Sequence, residues 1–339
     1  MPEQRTNDVV LSSRVRLARN YKDIPFPSMM NDVWAAETIR RTCDAVATLP
    51  DASAYSFVRL ADIDPAQRQE MVEQHVISRD LLRSADLAAV LLGKMNTVSI
   101  MVNEEDHIRL QVLVPGSDVE QAARIAREVD DGLEAKVEYA FDDQLGYLTA
   151  CPTNTGSGMR ASQMLHLPAL TMLRQMGVVG QAVDKLGLTI RGLYGEGSEA
   201  FGNLYQVSNQ VTLGRTEEEL AKAIKEVGSQ LADMERKARA KLIEKDRLAL
   251  EDRLMRSVGV FTYARRIGDK EFMQRWSDVR LASSLELISI DGEKLDALLY
   301  AAQSGGIARR AGKELTAPER DALRANFVRA AIAGAQSTL

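Results

Sequence analysis

The segment from Cys151 to Arg160 combines a thiol, two glycines and an arginine within ten residues. The apolar residues from Met164 to Leu170 predict a helix over 160–176, and Leu145 to Ala150 predicts a short strand before the glycines. A strand, a glycine loop and a helix in this order can present backbone N–H groups to a bound anion. An ordinary strand-to-helix connection has the same pattern, so this segment alone leaves both interpretations open.

A second candidate for anion binding lies between Val9 and Asn20. Alternation over Val10 to Leu17 predicts a strand with Ser12, Arg14 and Arg16 on one face. Two guanidinium groups spaced in this way can each bind phosphate oxygens with two N–H donors. Charged side chains also protect edge strands from aggregation, which is the alternative reading of the same pattern.

Two further segments pair an arginine with carboxylates. Val98 to Pro115 predicts a hairpin whose turn, Asn103 to His107, is acidic and whose second strand carries Arg109. An acidic turn of this kind is more often simply solvated. Arg191 to Ser198 contains three glycines and predicts a loop that carries one arginine and Glu196.

The four segments together predict an arginine-lined site for a polyphosphate. Arginine accounts for 31 of the 43 basic residues of the chain. Phosphoryl transfer depends on neutralised phosphate charge and in-line positioning more than on covalent chemistry, and this composition suits it. The sequence lacks the Walker A motif and the signature motifs of protein kinases, so a different phosphotransferase architecture is expected.

These motifs resemble those of the phosphagen (guanidino) kinase superfamily. The segments that carry this resemblance are Ser12–Arg16, Asn103–His107 with Arg109, and Cys151–Asn154 with Gly156, Gly158 and Arg160. Four more segments resemble bacterial protein-arginine kinases of the McsB type, namely Arg160–Met164, His166–Leu170, Arg191–Gly197 and Arg320–Ala325. The resemblance extends from about Val9 to the last predicted helix.

The resemblance implies ATP as phosphoryl donor and a pair of carboxylates that orient and deprotonate a guanidinium group. Guanidinium is protonated at neutral pH, so its nitrogen needs such a base before it can attack phosphorus. We expect Glu105 and Glu196 in this role, with Glu104 and Asp106 as the alternatives that spacing alone does not exclude. Beside several arginines a thiolate is favoured, so we expect Cys151 to position the substrate guanidinium.

The nucleotide is expected to bind mainly through arginines and glycine-loop backbone. By resemblance, the expected ATP-binding residues are Ser12, Ser13, Arg14, Val15, Arg16, His75, Arg109, Arg160, Ala161, Ser162, Gln163, Met164, Arg191, Gly192, Leu193, Tyr194 and Gly195. His75 is expected to stack near the base, whereas His107 is expected to be structural and His166 to lie in the core. Mg²⁺ would be held mainly by phosphates and water, because the sequence has no evident metal-ligand cluster.

The pattern of elements predicts an α+β fold. We expect helices over Asn31–Leu49, within Pro65–Leu82 and over Val119–Leu133, a strand over Tyr205–Leu213, and a long helix that begins with the Thr216/Glu219 capping box. The family counterpart is a large antiparallel sheet flanked by helices. We therefore expect a catalytic domain at 1–256 and a small helical domain at 257–339.

The helical region is expected to mediate regulation and assembly. Pro318 to Ile332 predicts a helix with Leu323, Phe327 and Ala330 on its apolar face. By resemblance, this region forms a homodimer. The expected allosteric phosphoarginine site comprises Arg320, Asp321, Arg324 and Ala325. A solvated helix face is the alternative for the two arginines.

Composition places the chain among globular proteins of a reducing compartment, and we expect a cytoplasmic protein. It has 339 residues, two cysteines, a net charge of −5 and no apolar run long enough to cross a membrane. Scattered arginines and negative net charge argue against nucleic acid as a partner. By family analogy, partners would include a zinc-containing activator, a heat-shock repressor and a Clp unfoldase.

The predicted Ser12–Arg16 strand lies near the start of the sequence, so we expect the N-terminal helical domain of small-molecule phosphagen kinases to be absent. A more open site would accept an arginine on a protein, so we expect protein substrates with exposed arginines that are marked for a stress-response or degradation pathway. Two alternatives remain at this point. One is a kinase for free arginine or another small guanidino compound, and the other is a non-catalytic phosphoarginine reader.

Overall fold

The computed structural model describes residues 8–192 and 200–333. The strands in this part of the chain are β1 (Val10–Arg19), β2 (Ser56–Arg59), β3 (Ala89–Leu92), β4 (Val98–Val102), β5 (Ile108–Pro115), β6 (Phe141–Asp142), β7 (Gly146–Tyr147), β8 (Met159–His166), β9 (Leu188–Gly192) and β10 (Leu204–Asn209). Eight of them form one antiparallel sheet in the order β2-β3-β4-β5-β1-β8-β10-β9. Strands β6 and β7 form a separate small hairpin.

Helices flank this sheet and make up the whole described C-terminal region. They are α1 (Asp32–Val46), α2 (Pro65–Glu73), α3 (Val119–Glu134), α4 (Pro168–Met172), α5 (Met176–Asp184), α6 (Glu217–Tyr263), α7 (Asp269–Ser284), α8 (Gly292–Ala301), α9 (Ser304–Ala311) and α10 (Ala317–Ile332). The α+β prediction is confirmed, as are the hairpin at 98–115, the strand at 10–17 and the helices at 31–49 and 119–133.

The two faces of the sheet differ sharply in chemistry. Leu17 lies opposite Leu110, and Val15 lies opposite Ala161, so these side chains share one face. Helices α3 and α6 pack over that face and complete the main hydrophobic core. The alternate residues of the same strands are mostly polar and point to the other face.

The predicted helix over 160–176 is wrong. Residues 159–166 form β8, which lies between β1 and β10 near the centre of the sheet, and helices begin only at Pro168 and Met176. Both faces of β8 are covered, and seven of its eight residues are buried. A strand buried on both faces gives a continuous apolar run, which hydrophobic periodicity does not distinguish from a buried helix.

Helix α6 connects the sheet to the C-terminal helices. Its start is the predicted capping box, in which Thr216 and Glu219 bond each other's backbone N–H groups. The helix is interrupted at Asp246, whose φ of −164° is not helical and whose Oδ1 accepts a hydrogen bond from Ala249 N at 2.9 Å. Asp246 therefore caps a second helical segment.

The C-terminal helices enclose a second hydrophobic core around Trp276, and this core reaches the sheet at Leu11, Met164 and Leu204. The last predicted helix is present, but its predicted apolar face is wrong. Helix α10 buries Arg324, Ala325, Val328 and Ile332, whereas Leu323 is 39% exposed. The packed face thus includes an arginine, which an apolar pattern does not reveal.

Candidate active site

Five arginines from four strands lie on the polar face of the sheet. Strand β1 contributes Arg14 and Arg16, β5 contributes Arg109, β8 contributes Arg160 and β9 contributes Arg191. The strand register places Arg16 opposite Gln111 and Arg160, Ala18 opposite Arg109, and Gln206 opposite both Arg191 and Met164. Residues directly opposite in antiparallel strands point to the same face. We call this surface the arginine face.

The arginine face holds positive charge that is not fully compensated. The pKa of Arg16 is lowered well below its usual value by burial and by Arg14, Arg109 and Arg160. Burial, Arg191 and Arg109 likewise lower the pKa of Arg160. Within the described residues, Nε of Arg16 and Nε of Arg160 are buried without a hydrogen-bond partner. A bound polyanion would fill such donors and relieve the mutual repulsion.

The acidic turn of the β4–β5 hairpin lies beside this face. The Glu104 carboxylate accepts hydrogen bonds from Arg109 and from Ser78 Oγ, the latter at 2.6 Å. Arg109, Ser78 and the Glu105 N–H outweigh burial and lower the pKa of Glu104. Glu104 is therefore an ionised carboxylate that holds Arg109.

The two neighbouring acids have different surroundings. Asp106 Oδ1 accepts hydrogen bonds from Asn20 Nδ2 and from Ala150 N, both at 2.7 Å. The Glu105 carboxylate is exposed and has no hydrogen bond to another described residue. Loss of hydration and the nearby Asp106 raise the pKa of Glu105. Of the three acids, Glu105 is thus the one whose carboxylate is available for a substrate.

Asp106 also connects the hairpin turn to the loop that carries Cys151, because Ala150 immediately precedes that cysteine. Cys151 Sγ lies 3.1 Å from Thr153 Oγ1. Cys151 and Glu105 both contribute to the electrostatic environment of Arg160, so each of them lies near that arginine.

Two glycines of this loop are required by close approaches. Gly158 has φ +66°, and a Cβ there would lie 2.5 Å from Arg19 Nη1. Gly156 has φ +123°, and a Cβ would lie 2.8 Å from the backbone of Leu213. Both φ values also disfavour residues with a side chain.

Buried Arg19 holds the loop from below, a role that sequence reasoning missed. Its guanidinium donates to Ser157 O at 2.9 Å, pairs with Asp130 at 2.6 Å and lies 3.6 Å from the Tyr147 ring centroid. Arg19 follows the Arg14/Arg16 motif, but strand parity places it on the opposite face. The odd residue number of Arg19 in β1 could therefore have predicted from the sequence that it lies on the core side.

His75 lies at the edge of the arginine face. Its pKa is lowered to about 3 by burial and by Arg14, Arg16 and Arg79. The His75 carbonyl accepts a hydrogen bond from Gln111 Nε2 at 2.7 Å. His107 is structural, as expected, because its ring bonds Tyr21 N and Pro25 O. His166 is buried against Ser277 Oγ at 2.7 Å, as expected for a core residue.

Several predicted nucleotide contacts point away from the arginine face. Ser13 Oγ donates to Gly116 O at 2.8 Å, and Gln163 Nε2 donates to Ser13 Oγ at 3.1 Å on the core side. Val15 and Ala161 are fully buried in the main core. Side chains at these four positions therefore position the strands rather than meet a ligand.

The remaining predicted nucleotide residues are placed unevenly. Ser12 and Ser162 lie on the arginine face by register, whereas Met164 packs into the second core. A Cβ at Gly192 would lie 2.8 Å from Ala200 Cβ. Leu193, Tyr194, Gly195 and the predicted catalytic Glu196 lie outside the described residues.

The predicted phosphoarginine site is not arranged as expected. Arg324 is fully buried, and its guanidinium bonds Ala302 O, Ile267 O, Asp321, Asp269 and Ser304. It offers no N–H donor to an external phosphate in this arrangement. Ala325 is buried beside it.

Arg320, by contrast, is only partly buried and donates to Leu315 O at 2.8 Å. The expectation that the Arg320 and Arg324 guanidinium groups both offer N–H donors to one phosphate is therefore wrong. The burial of Arg324 within helical packing is the physical reason.

No group of three or more histidine, cysteine, aspartate or glutamate residues in 8–192 and 200–333 is arranged to hold a metal ion. None of the helices in these ranges is long and apolar enough to cross a membrane.

The fold and the arginine face correspond to a known class. The model of the ATP:guanido phosphotransferase C-terminal catalytic domain matches residues 37–238. The crystal structure of lombricine kinase is similar, with a TM-score of 0.60, 26% identity and coverage of 71% of this chain and 70% of that chain. The duplicated taurocyamine kinase from Schistosoma mansoni with bound transition-state-analogue components gives the same TM-score and identity, over 68% of this chain and 33% of that one. These matches define an ATP:guanido phosphotransferase.

The helical region narrows the assignment. The model of the protein-arginine kinase McsB C-terminal domain matches residues 247–338. The protein-arginine kinase of Moorella thermoacetica is 47% identical over 331 residues, which covers 96% of this chain and 95% of that protein. That of Symbiobacterium thermophilum is 46% identical over 330 residues, covering 95% and 93%. Within the ATP:guanido phosphotransferases, the chain belongs to the protein-arginine kinases.

Proposed function

We propose that this chain transfers the γ-phosphoryl group of ATP to a guanidinium nitrogen of arginine residues in proteins, with Glu105 as a catalytic base. The observation that carries the assignment is the free carboxylate of Glu105 in a turn where Glu104 and Asp106 are both hydrogen-bonded. The influence of Glu105 on Arg160 supports a position beside the arginines that we propose for phosphate binding.

The raised pKa of Glu105 suits a base for guanidinium. A carboxylate with a raised pKa accepts a proton more readily than an ordinary glutamate. As the N–P bond forms and the bond from γ-phosphorus to the bridging oxygen breaks, one guanidinium proton passes to the carboxylate and ADP leaves. Glu196 is proposed, from the family resemblance, to hold the other side of the guanidinium group.

The arginine face would bind the ATP phosphates. The unpartnered donors of Arg16 and Arg160 can bind phosphate oxygens where charge develops during transfer. Arg14, Arg109 and Arg191 would complete the cradle, and Glu104 would fix the orientation of Arg109. Mg²⁺ would be held by phosphates and water, and it would neutralise phosphate charge when bound.

Cys151 would contact the substrate guanidinium rather than attack phosphorus. Its thiol lies near Arg160, on which Glu105 also acts, and could there orient an incoming arginine. Direct transfer from oxygen to nitrogen needs no covalent enzyme intermediate. His75 would contact the nucleotide base at the edge of the arginine face.

The organisation and partners are proposed from the family resemblance. We propose a catalytic domain at 1–256, a regulatory helical domain at 257–339, and a cytoplasmic homodimer. We also propose a role in a stress-response or degradation pathway that involves a zinc-containing activator, a heat-shock repressor and a Clp unfoldase. Arg320 and Asp321 remain proposed contacts for a phosphoarginine.

Labelled ATP supplied with a folded, arginine-containing protein or with free arginine tests the substrate. We expect acid-labile label on the protein and little on free arginine. The reverse result would support a small-molecule kinase, and no label on either would support a non-catalytic reader.

Glu105→Gln tests the base, with Glu104→Gln and Asp106→Asn as comparisons. We expect Glu105→Gln to lower kcat by at least about a hundredfold with nucleotide affinity nearly unchanged. Glu104→Gln should mainly weaken nucleotide binding, because it releases Arg109. A Glu105→Gln enzyme with full turnover would refute the assignment.

A further inference from the structure

The contact between the end of α2 and the start of α9 buries a carboxylate. Glu73 is 6% exposed, and its oxygens accept hydrogen bonds from Gly305 N at 3.0 and 2.9 Å and from Gly306 N at 3.4 Å. Gln69 Nε2 donates to the same carboxylate at 2.9 Å. Two backbone N–H groups at a helix start and an anionic side chain complement each other in charge.

The close approach of α2 and α9 depends on Gly305. A Cβ at Gly305 would lie 2.5 Å from Glu70 N, so any other residue there would force the two helices apart. A Cβ at Gly306 would instead lie 2.8 Å from Ala301 O, at the end of α8. An ion pair between Arg309 and Glu70 at 2.5 Å lies at the exposed rim of the contact. The two helices therefore meet backbone to backbone around Glu73.

His75 follows Glu73 by two residues and reaches the arginine face. It has φ +58°, so the chain turns sharply after α2. Its carbonyl bonds Gln111, which lies directly opposite Arg16. Its ring is edge-on to Tyr300 of α8, with centroids 5.8 Å apart. One short segment thus bonds the helical region through the Glu73 carboxylate and the arginine face through the His75 carbonyl, with the imidazole close enough to Arg14 and Arg16 to be influenced by their charge.

We propose that Glu73 is a positioning residue for nucleotide binding, because its bonds to Gly305 and Gly306 fix the segment that places His75 beside the arginine face. The inference rests on the proposed function, in which that face binds ATP. It adds that the helical region, through the start of α9, helps to shape the nucleotide site.

The start of α9 is itself held from the other side. Ser304 Oγ donates to the two Asp269 oxygens at 3.1 and 3.0 Å, and Asp269 is paired with Arg324. Glu73 therefore bonds a helix start that is already fixed in place. A fixed partner lets one carboxylate determine the position of the segment on the other side.

The test uses Glu73→Ala, Glu73→Gln and Glu70→Ala in the full chain. Kinetics with a protein acceptor and calorimetric titration with ADP are measured below the melting temperature of each variant. We expect Glu73→Ala to raise KM for ATP and Kd for ADP about tenfold, the scale of one lost charge-assisted hydrogen bond, with kcat changed less than about threefold. Glu73→Gln should recover part of the affinity through its remaining oxygen. Glu70→Ala removes the ion pair with Arg309 and a hydrogen bond from Gln74 Nε2, but none of the Glu73 bonds, and it should leave the affinity unchanged.

A double-mutant cycle with His75→Asn separates positioning from stability. Asparagine tolerates the left-handed backbone of residue 75 but lacks the ring. In the His75→Asn background, Glu73→Gln should have little further effect on ADP affinity, because there is no ring left to place. Additive effects on affinity would overturn the proposal, and so would a lower melting temperature of the Glu73 variants with unchanged KM. If Glu73→Ala does not fold, Glu73→Gln alone decides.

An Arg160→Ala variant distinguishes failure of the Glu73 proposal from failure of the proposed nucleotide site. Unchanged ADP affinity in Arg160→Ala would contradict the arginine face as nucleotide site. A weakened Arg160→Ala with an unaffected Glu73→Gln and Glu73→Ala would refute only the role of Glu73.

Discussion

The arginine face and the buried Arg324 use the same side chain in opposite ways. Arg324 has its guanidinium hydrogen-bonded to five groups, two of them carboxylates. Arg16 and Arg160 are also largely removed from solvent, yet each keeps a buried Nε without a partner among the described residues. An arginine whose N–H donors are all hydrogen-bonded within the protein is part of the packing, and we call it filled. An arginine with unpaired buried donors can bind a ligand, and we call it open.

The surroundings explain this difference. Arg324 lies between helices whose ends supply carbonyl groups and acids, so its charge is compensated within the helical region. The arginines of the sheet face one another across adjacent strands, where like charges lower the pKa of Arg16 and Arg160. A surface with uncompensated charge gains free energy when an anion binds, and a compensated one does not.

The largest expected effect on stability comes from replacing Arg324, the filled arginine. Arg324→Ala should lower the free energy of unfolding by about 2–5 kcal/mol, because it leaves the Ala302 and Ile267 carbonyl groups without their donor. Urea denaturation of the full chain measures the change. Arg310→Ala, which removes a cation–π contact at 4.3 Å from the Phe327 centroid, provides a control with an expected loss of about 1 kcal/mol or less. A loss below about 1 kcal/mol for Arg324→Ala would contradict its structural role.

The sequence could not distinguish these two kinds of arginine. Arg320 to Ala325 matches a family motif, and the i, i+4 spacing of its arginines was correct. The donors of Arg324 are hydrogen-bonded to the carbonyl groups of Ile267 and Ala302, which lie more than 20 residues away in the chain. Local patterns contain no information on such partners.

Replacing an open arginine of the arginine face should lower activity and leave stability unchanged or higher. Arg160→Ala should lower kcat/KM by about a hundredfold or more, since it removes a donor to the phosphates. Its free energy of unfolding should stay the same or rise, because repulsion from Arg191 and Arg109 is relieved. Arg174→Ala, in an exposed turn, is the matched control and should change neither quantity. If Arg160→Ala lost as much stability as Arg324→Ala, the proposed difference between open and filled arginines would be wrong.

Sequence reasoning identified the arginine face better than the elements that carry it. Strand alternation placed Arg14 and Arg16 correctly, and the hairpin pattern placed Arg109. Arg160 was expected at a helix start but is the half-exposed residue of a central strand whose other seven residues are buried. The free state of Glu105 also could not be predicted, because it depends on Asn20 and Ser78 binding its two neighbours.

A smaller effect concerns the histidines next to each kind of arginine. Burial lowers the pKa of His75 and His166, with Arg14 and Arg16 contributing at His75 and Arg280 and Arg239 at His166. Both rings are therefore neutral in the folded state, and the unfolded chain takes up protons below about pH 6.5. The free energy of unfolding should fall as pH decreases below that value, by up to about 1.4 kcal/mol per pH unit for each histidine.

Added nucleotide sharpens this difference between the two histidines. Phosphates bound at the arginine face would offset Arg14 and Arg16 and raise the pKa of His75, whereas His166 should not respond. Ring-proton NMR titration with a non-hydrolysable ATP analogue tests this, since the chain has only three histidines. Equal responses of His75 and His166 would argue against a nucleotide at this face.

The smallest effect on stability is expected at Arg320. Its hydrogen bond to Leu315 O is the one contact of its guanidinium among the described residues, so Arg320→Ala should cost only about 0.5–1.5 kcal/mol. Its remaining donors have no hydrogen bond to a described residue, so Arg320 is the member of the pair that we propose as a contact for phosphoarginine. Calorimetric titration should therefore show at least about tenfold weaker phosphoarginine binding in Arg320→Ala, the scale of a lost charge-assisted bond. Wild-type affinity in this variant would assign phosphoarginine binding elsewhere and leave Arg320 as a surface residue of the packed helix.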